Sequence, residues 1–579
     1  MFNNKKITLS KYASYFDTNS FIDEGLKITA RILSGNGAEK FSTSGNPFVD
    51  QFNMLSLYRK PRKYNKIAKD CELLWSTDKE LCVKFIFWLR IITRVTIYMD
   101  NRKTTESQKG GELRWESIYR LIWLYQKEAN IFYRNLHLFV AVGSWKDIFL
   151  MLRYDLIYNG VSDKVLDTDF LLDFILIGLQ DDSQSELVKK YLPQIKSYKK
   201  CKTVEAEANT IIAKQLAKKI GCSYEDYRKI KSSGKAHTWQ KLISKKLMDR
   251  IDFNTIHGRA LYLLIKGKFL DNQGLREKYL EWVKSPDVDS IKFTGFVHEL
   301  FSNLPSNEVE LDETRTITIN KQFKALVEKA GETEQTKLIV VRDTSGSMEG
   351  RAVGTNMSSG DIAKALALYF SEFLTGEFSD AWIEFESKAK MHKWIGDTPV
   401  ARWYNDHSSY IGSTNFQNVI DLFCKLKADG IPETDFPIGI LCISDGEFDP
   451  ADLGKTNVET AREKLKKAGF SEEYTNNFKI ILWNIANWYY GKAQPKFETY
   501  ADVSNVFYLS GYSASIVSFI VGGDAPLTGY ELFLSAMNQE ILNQIKINES
   551  LTSFTPAQRK IIEEIMRERR QMFINLSKK

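Results

Sequence analysis

Three loops in the C-terminal half of the chain carry oxygen-bearing side chains directly beside short apolar segments. Asp343, Ser345 and Ser347 alternate in "DTSGSM", after the apolar run "KLIVVR". A second loop, "YIGSTNF", is rich in hydroxyls, and Asp445 follows the apolar run "PIGILCIS" in a third loop. Two carboxylates and three hydroxyls are hard oxygen donors of low total charge, which suit a partly hydrated Mg²⁺ or Mn²⁺. The pattern predicts a divalent-cation site, although "DTSGS" alone is also typical of a turn that satisfies its own backbone.

The elements that must position these loops are buried strands alternating with helices. Helical patterns in "DIAKALALYFSEFL", "NFQNVIDLFCKLKAD" and "NVETAREKLKKAG" separate the apolar runs. This alternation indicates an α/β unit around a mostly parallel sheet, and ligands gather where the carboxyl ends of such strands converge. The predicted strands are residues 337–342, 381–387, 437–444, 479–485 and 505–510.

The chain from about residue 75 to residue 330 has helical rather than strand patterns. In "STDKELCVKFIFWLRIITR", Thr77 and Glu80 have the spacing of a capping box, and Val83, Phe87 and Ile91 lie four residues apart. This segment should form a mostly buried helix. We expect an array of packed helices without a repeat of fixed period, and a helical tail after about residue 523 that packs back on them or projects. Further helical runs are predicted at about 168–180, 206–220, 237–249 and 258–284.

The overall composition indicates a folded protein of several domains. The chain has 579 residues, of which 43% are hydrophobic and 26% charged, and its length predicts about two to four domains. The N-terminus lacks the apolar core of a secretory signal, and the most apolar windows are too short to span a bilayer. The six cysteines form no C-x-x-C pair, which favours buried thiols in a reducing compartment over disulfides or zinc ligands. We expect a soluble, monomeric protein of the cytoplasm, virion-associated if its source is viral.

The three loops together resemble the metal-ion-dependent adhesion site of von Willebrand factor A domains. In that family D-x-S-x-S, threonine and aspartate elements follow in this order, and the cation keeps one position open for an acidic group of a partner. The resemblance covers about residues 334–523, and the ligands that it implies are Asp343, Ser345, Ser347, Thr414 and Asp445. Ser413 is the alternative to Thr414 if the second loop is shifted by one residue. An A-like fold without bound metal is the alternative to the whole site.

Two features of the first loop depart from the A-domain pattern. Arg342 stands where an apolar strand residue is usual, and "EGRAVGTNMSSGD" makes an unusually long loop. Arg342 either tunes the site electrostatically or points away from it. Both features lie where a partner would approach.

The N-terminal part resembles the Ro-like proteins, in which a TROVE module of HEAT-like helical repeats precedes an A domain. The resemblance rests on "FSTSGNPFVDQF", "GSWKDI" and "IDFNTIHGRAL" in a helical array. It implies a multidomain protein with an all-α domain (1–330), an α/β doubly wound, Rossmann-like domain (334–523) and a C-terminal helical segment (524–579). It also implies a ring that binds small structured RNAs on its basic outer surface and single-stranded RNA ends in its central hole.

A basic segment between residues 189 and 250 fits that implication. It contains 17 lysines and arginines against 5 acidic residues, and such a density favours an anionic partner, although lysine-rich helices are often only solvated. Trp239, Leu242, Ile243 and Leu247 form one helical stripe, which we interpret as core rather than as a base-stacking platform. The predicted phosphate contacts are Lys214, Lys218, Lys219, Lys235, His237, Lys241, Lys245 and Lys246.

Enzyme motifs have little support in this sequence. The "GKT" at 454–456 lacks the upstream glycine of a P-loop, and no zinc-protease, nucleophile-elbow or Rossmann fingerprint occurs. The leading hypothesis is a non-enzymatic RNA-binding scaffold with a metal-dependent docking site. The alternative is a protein-interaction or structural component, for viral assembly or adhesion, that uses the metal site to bind an acidic partner. A Mg²⁺-dependent nuclease is a third hypothesis.

Overall fold

The computed structural model has a helical part up to residue 330 and an α/β part from residue 338, so the predicted combination of the two architectures is confirmed. The residues that the structure describes are 31–33, 36–55, 57–59, 62–91, 97–99, 102–104, 109–159, 165–182, 184–197, 202–233, 239–244, 246–256, 261, 264–265, 269–272, 274–293, 295–302, 304–305, 308–330, 338–352, 354–374, 378–406, 408, 412–485, 497–499, 501–513 and 528–547.

The helical part consists of successive α-helices with two short antiparallel hairpins. The hairpins, which the sequence patterns did not indicate, pair β1 (Arg31–Leu33) with β2 (Glu39–Phe41) and β3 (Ile97–Met99) with β4 (Arg102–Thr104). The helices are α1 (Pro47–Phe52), α2 (Tyr64–Thr77), α3 (Lys79–Trp88), α4 (Arg114–Lys127), α5 (Ala129–Val142), α6 (Trp145–Asn159), α7 (Thr168–Gln180), α8 (Ser185–Tyr191), α9 (Val204–Ile220), α10 (Tyr224–Ser233), α11 (Trp239–Ser244), α12 (Phe269–Asn272), α13 (Arg276–Lys284), α14 (Val297–Phe301) and α15 (Glu313–Ala330).

The structure confirms some of the predicted helices fully and others only in part. Val83, Phe87 and Ile91 are fully buried, as their spacing predicts, and the run at 168–180 is confirmed as α7. The run at 206–220 lies within α9. The predicted helix at 237–249 is too long, because α11 ends at Ser244, and the run at 258–284 contains the separate helices α12 and α13.

The predicted capping box at Thr77 and Glu80 is wrong. Helix α3 begins after Asp78, whose carboxylate accepts a hydrogen bond of 2.8 Å from the N–H of Leu81. Thr77 is the last residue of α2, and its hydroxyl donates to the carbonyl of Leu73 at 2.8 Å. Two helices follow each other here with one residue between them, so the capping residue lies one position further along than the sequence pattern indicates.

Aspartates in the three N-terminal motifs have structural partners. In the first motif, the N–H and the hydroxyl of Ser44 donate to Asp50 at 2.7 and 2.6 Å. In the second, fully buried Asp147 accepts from the Arg90 guanidinium at 2.7 Å. In the third, Asp252 caps a short 3-10 turn. These motifs stabilise the helical part through caps and buried ion pairs.

A six-stranded sheet forms the centre of the α/β part. Its strands are β5 (Leu338–Asp343), β6 (Ala381–Phe385), β7 (Ala389–Lys393), β8 (Gly439–Ser444), β9 (Lys479–Asn484) and β10 (Val506–Ser510). They lie in the order β7–β6–β5–β8–β9–β10, and every neighbouring pair is parallel except β6 and β7. The five predicted strands are confirmed. The antiparallel edge strand β7 was not predicted, because its sequence "AKMHK" is charged rather than apolar.

Helices of both parts cover this sheet. Those of the α/β part are α16 (Ser359–Ser371), α17 (Pro399–Asn405), α18 (Gln417–Ala428), α19 (Asn457–Lys467) and α20 (Glu472–Asn477). Helix α16 packs on β5, and α18 packs on β6 and β7. Helices α14 and α15 of the helical part pack on α16 and α17, so the two parts share an extensive contact.

The two C-terminal helices that the structure describes pack on helices of the helical part. They are α21 (Gly529–Met537) and α22 (Glu540–Asn543), and α21 lies against α1 and α3. The Phe533 ring lies 5.1 Å from that of Phe48 and 5.7 Å from that of Phe85, between ring centroids. The predicted helix in "TPAQRKIIEEIMRERRQMFINLSKK" lies outside the described residues.

The described residues form two hydrophobic cores. The larger core runs through the helical part and the sheet, and the smaller one lies between residues 242 and 291. Leu242 belongs to this smaller core, and Trp239, Ile243 and Leu247 pack against it, so the interpretation of that stripe as core is confirmed.

The described cysteines are free thiols, and three of the five are buried as predicted. Cys71, Cys82 and Cys442 are buried, whereas Cys222 and Cys424 are partly exposed. Within the described ranges, the helices are either too short or too polar to cross a lipid bilayer.

Candidate metal centre

Asp343 and Asp445 leave the sheet at the point where its strand order reverses. Asp343 ends β5, and Asp445 directly follows β8. The two strands are parallel neighbours, with Val341 opposite Cys442. The chain continues from β5 to β6 on one side and later returns to add β8 on the other side, which is the place in such sheets where ligands usually bind. The predicted first-loop and third-loop residues therefore meet at the carboxyl edge of the sheet.

Hydrogen bonds join these residues into one cluster. Ser444 Oγ donates to Asp343 Oδ2 at 2.5 Å, and the Ser345 N–H donates to Asp343 Oδ1 at 2.9 Å. The hydroxyl oxygens of Ser345 and Ser347 lie 3.1 Å apart, and Ser347 also hydrogen-bonds Asp445. Four of the five predicted ligands thus lie within one hydrogen-bonded group.

The two carboxylates oppose each other electrostatically. Burial raises the pKa of Asp343, the neighbouring charge of Asp445 raises it further, and hydrogen bonds from Ser444 and Ser345 oppose both effects. Burial likewise raises the pKa of Asp445. Two buried like charges of this kind are costly unless a proton or a cation compensates them.

The donor chemistry of this cluster fits a magnesium-like cation. Two carboxylates and neutral hydroxyls are the hard ligands that Mg²⁺ and Mn²⁺ prefer, and a divalent cation would remove the repulsion between Asp343 and Asp445. Within the described ranges, no group of three or more histidine, cysteine, aspartate or glutamate side chains is arranged for a metal. Serine and threonine hydroxyls would therefore have to supply the remaining protein ligands of a cation at this site.

Thr414 and Ser413 differ in their surroundings. Thr414 is buried, and its carbonyl accepts a 2.8 Å hydrogen bond from the N–H of Asp449 in the third loop. Ser413 is exposed, and its N–H donates to Ser387 Oγ at 3.3 Å. The second and third loops are thus joined through the backbone of Thr414, and the choice between Thr414 and Ser413 as the second-loop donor stays a prediction.

Arg342 points to the C-terminal end of α17, which precedes the second loop. Its side chain is fully buried, with Nη1 2.7 Å from Asp406 Oδ2 and the guanidinium 4.1 Å from the centroid of the Trp382 ring. Lys364 Nζ lies 3.3 Å from the same carboxylate oxygen. The arginine therefore helps to hold Asp406, eight residues before Thr414, through a buried ion pair.

The long first loop folds back on itself and rests on the helical part. Arg351 and Ser358 form an isolated antiparallel bridge, and the Ala352 N–H donates to the Met357 carbonyl at 2.9 Å. Gly354 has φ +76°, and a Cβ there would lie 3.2 Å from the Cβ of Arg59. A glycine at this position permits both the left-handed turn and the close approach to the helical part.

Two residues of the centre were not predicted. Ser444, the last residue of β8, is a polar side chain at a strand end beside Asp445, a signal that the sequence does contain. Lys40, whose ammonium donates to the Gly446 carbonyl, lies 406 positions away along the chain. Only the tertiary fold brings Lys40 to the third loop.

The predicted phosphate contacts are distributed over two regions. Lys214 and Lys218 are exposed on α9, which belongs to the larger core, whereas Lys246 is exposed beside the smaller core. Lys219 instead forms ion pairs with Asp169 and Asp173 at 3.4 and 2.9 Å. Lys235, His237, Lys245 and the side chain of Lys241 lie outside the described residues.

Comparison with known proteins assigns no activity to this chain. A family model described as a domain of unknown function (DUF7788) matches residues 337–558, which begin just before β5 and extend beyond α22. A comparison with curated proteins found no match.

Proposed function

We propose that this chain is a non-enzymatic binding protein whose α/β part docks an acidic partner through a divalent cation, as von Willebrand factor A domains do. The observation that carries the proposal is the buried pair Asp343 and Asp445, joined through serine hydroxyls where the strand order reverses. A doubly wound sheet with β7 as its single antiparallel strand supports an A-like fold.

The ligands proposed for Mg²⁺ or Mn²⁺ are Asp343, Ser345, Ser347, Thr414 and Asp445. Because three of them are neutral hydroxyls, the proposed ligands themselves carry only two negative charges, and the nearby charge of Glu447 also acts on Asp445. A cation held in this way retains attraction for a further carboxylate, which is the chemistry that a docking site needs.

Titration with Mn²⁺, followed by electron paramagnetic resonance, tests the cation site. We expect the full chain to bind a single Mn²⁺ and Asp343→Asn to abolish that binding. Thr414→Ala should weaken binding, whereas Ser413→Ala should leave it unchanged. Asp452→Asn changes an exposed carboxylate of the segment after the third loop and is the matched charge control. Undiminished Mn²⁺ binding by Asp343→Asn would refute the proposed site.

We propose RNA binding by the helical part as a second function, because two lysines of α9 are exposed where phosphates could reach them. Lys214 and Lys218 are exposed and lie four residues apart, on the same face of the helix. Lysine contacts of this kind give affinity without sequence specificity. This supports the Ro-like hypothesis of a HEAT-like scaffold for small structured or single-stranded RNA.

Fluorescence anisotropy with a labelled single-stranded RNA and a labelled stem–loop tests this second function. Lys214→Glu together with Lys218→Glu should weaken binding, and should reduce the salt dependence by about one ion per lysine that contacts phosphate. Lys388→Glu with Lys390→Glu reverses two exposed charges on and beside β7 and serves as the control. Equal affinities for the two double variants would exclude α9 as the RNA-binding surface.

A further inference from the structure

The N-terminal strand β2 and the residues just before it contact the third loop of the candidate metal centre. β2 bridges to Phe497, with N–H to carbonyl distances of 2.8 and 2.9 Å in the two directions. Asn36 donates its amide N–H to the Glu447 carbonyl at 2.6 Å, and Lys40 donates to the Gly446 carbonyl. Residues 36–41 thus hold two consecutive carbonyls of the loop that begins with Asp445.

Lys40 is unusual because its ammonium is almost completely buried. Its side chain is 2% exposed, and Nζ lies 3.1 Å from Glu498 Oε1, a carboxylate that is 1% exposed. The ammonium also lies 4.5 Å from the centroid of the Phe448 ring. Removing an ammonium from water is unfavourable, and here the carboxylate of Glu498 and the Gly446 carbonyl offset that cost.

A single planar peptide connects Lys40 to Asp445. The carbonyl that accepts from Lys40 belongs to Gly446, and the N–H of the same peptide unit belongs to Glu447. That N–H donates to Asp445 Oδ1 at 3.1 Å. Because the peptide is rigid, holding its carbonyl also holds its N–H, and the ammonium polarises the N–H toward the carboxylate.

The other hydrogen bonds of the turn after β8 also hold the Gly446–Glu447 peptide in place. Gly446 has φ +81°, and its own N–H donates to Ser444 Oγ at 3.0 Å. The same serine hydroxyl donates to Asp343. The turn after β8 is therefore bonded on one side to the first loop and on the other to the N-terminal strand.

We propose that Lys40 is a positioning residue of the cation site, which fixes the Gly446–Glu447 peptide and thereby the carboxylate of Asp445. The inference rests on the proposed cation-binding function. It makes the N-terminal strand a component of a site whose predicted ligands all belong to the α/β part.

The competing explanation is that Lys40 serves only to neutralise Glu498. The two roles separate in full-length Lys40→Met, Glu498→Gln and the double variant. Lys40→Met leaves a buried carboxylate unpaired and should be less stable, whereas the double variant removes both charges and should recover stability. The Glu498→Gln substitution keeps a side-chain oxygen that can accept from the Asn457 N–H, a hydrogen bond that Glu498 accepts at 2.8 Å.

Mn²⁺ affinity, measured together with thermal unfolding, decides between the two roles. We expect the double variant to unfold near the wild-type temperature and yet to bind Mn²⁺ about tenfold to a hundredfold more weakly, as for other residues that orient a metal ligand. Glu498→Gln alone retains the ammonium and should bind nearly as the wild type does. Wild-type affinity in the double variant would overturn the inference while leaving the proposed function intact. Absence of Mn²⁺ binding by the wild-type chain would overturn the proposed function and this inference with it.

Discussion

The carboxylate of Asp406 neutralises two buried, positively charged side chains. Its carboxylate pairs with Arg342 and Lys364, and the hydroxyl of Ser408 donates to it at 2.6 Å. Burial would raise the pKa of Asp406, but the charges of Arg342 and Lys364 outweigh that effect and hold the pKa well below its usual range. Among the residues that the structure describes, Arg342 Nε and Nη2 have no hydrogen-bond partner, so the Asp406 carboxylate is the main compensation for this arginine.

The depressed pKa of Asp406 predicts a loss of stability in acid. The unfolded chain takes up this proton near pH 4, whereas the folded chain resists it, so the stabilisation is present above about pH 4 and is lost as the pH falls further. Asp406→Asn should be destabilised by about 3 to 5 kcal/mol at neutral pH and should lose less additional stability on acidification. Urea unfolding across this pH range measures both effects, with the exposed Asp182→Asn as control. Parallel pH profiles for Asp406→Asn and the wild type would contradict this assignment.

The junction of α2 and α3 shows how a helix boundary depends on its neighbour. Thr77 and Asp78 are adjacent, yet the hydroxyl of Thr77 bonds within α2 and the carboxylate of Asp78 caps α3. The carboxylate also adds a negative charge at the positive end of the α3 dipole.

This difference predicts unequal effects of two neighbouring substitutions. Asp78→Ala should lower the free energy of unfolding by about 1 kcal/mol, because an N–H of the first turn loses its cap. Thr77→Ala should have a smaller effect, since it removes only a bond from a hydroxyl to a carbonyl within its own helix. Chemical denaturation of the two variants measures the difference. A larger loss for Thr77→Ala would support the capping box at Thr77 and Glu80 instead.

In the whole molecule, described segments from near each end of the chain reach from one part to the other. The strand β2 from the N-terminal end bridges to Phe497 between β9 and β10, while α21 from the C-terminal end packs on α1 and α3. A continuous hydrophobic core passes through both parts. The boundaries at 1–330, 334–523 and 524–579 stay a prediction, and the described residues on both sides of them are tightly joined. An excised fragment 337–558 would lack Lys40 and would expose the face of Phe533 that packs on Phe48.

The sequence by itself determined the elements whose signals are local. Apolar runs bounded by loops predicted the five buried strands, and helical periodicity predicted α7 and the burial of Val83 and Phe87. The order of Asp343, Ser345, Ser347 and Asp445 predicted the cluster at the strand ends, because parallel strands bring their carboxyl ends together. The cation itself, the RNA and the Ro-like architecture stay predictions that the experiments above address.

Only the tertiary structure decided the features that depend on distant or competing partners. The charged strand β7 pairs with β6 although its own sequence has no apolar pattern, because hydrogen bonding to a neighbouring strand stabilises it. Arg342 could equally have pointed toward the first loop, and the carboxylate of Asp406, 64 positions away, sets its direction. Lys40 had no local signal at all, since the Gly446 carbonyl that it holds and the Glu498 carboxylate that neutralises it come together only when the chain is folded.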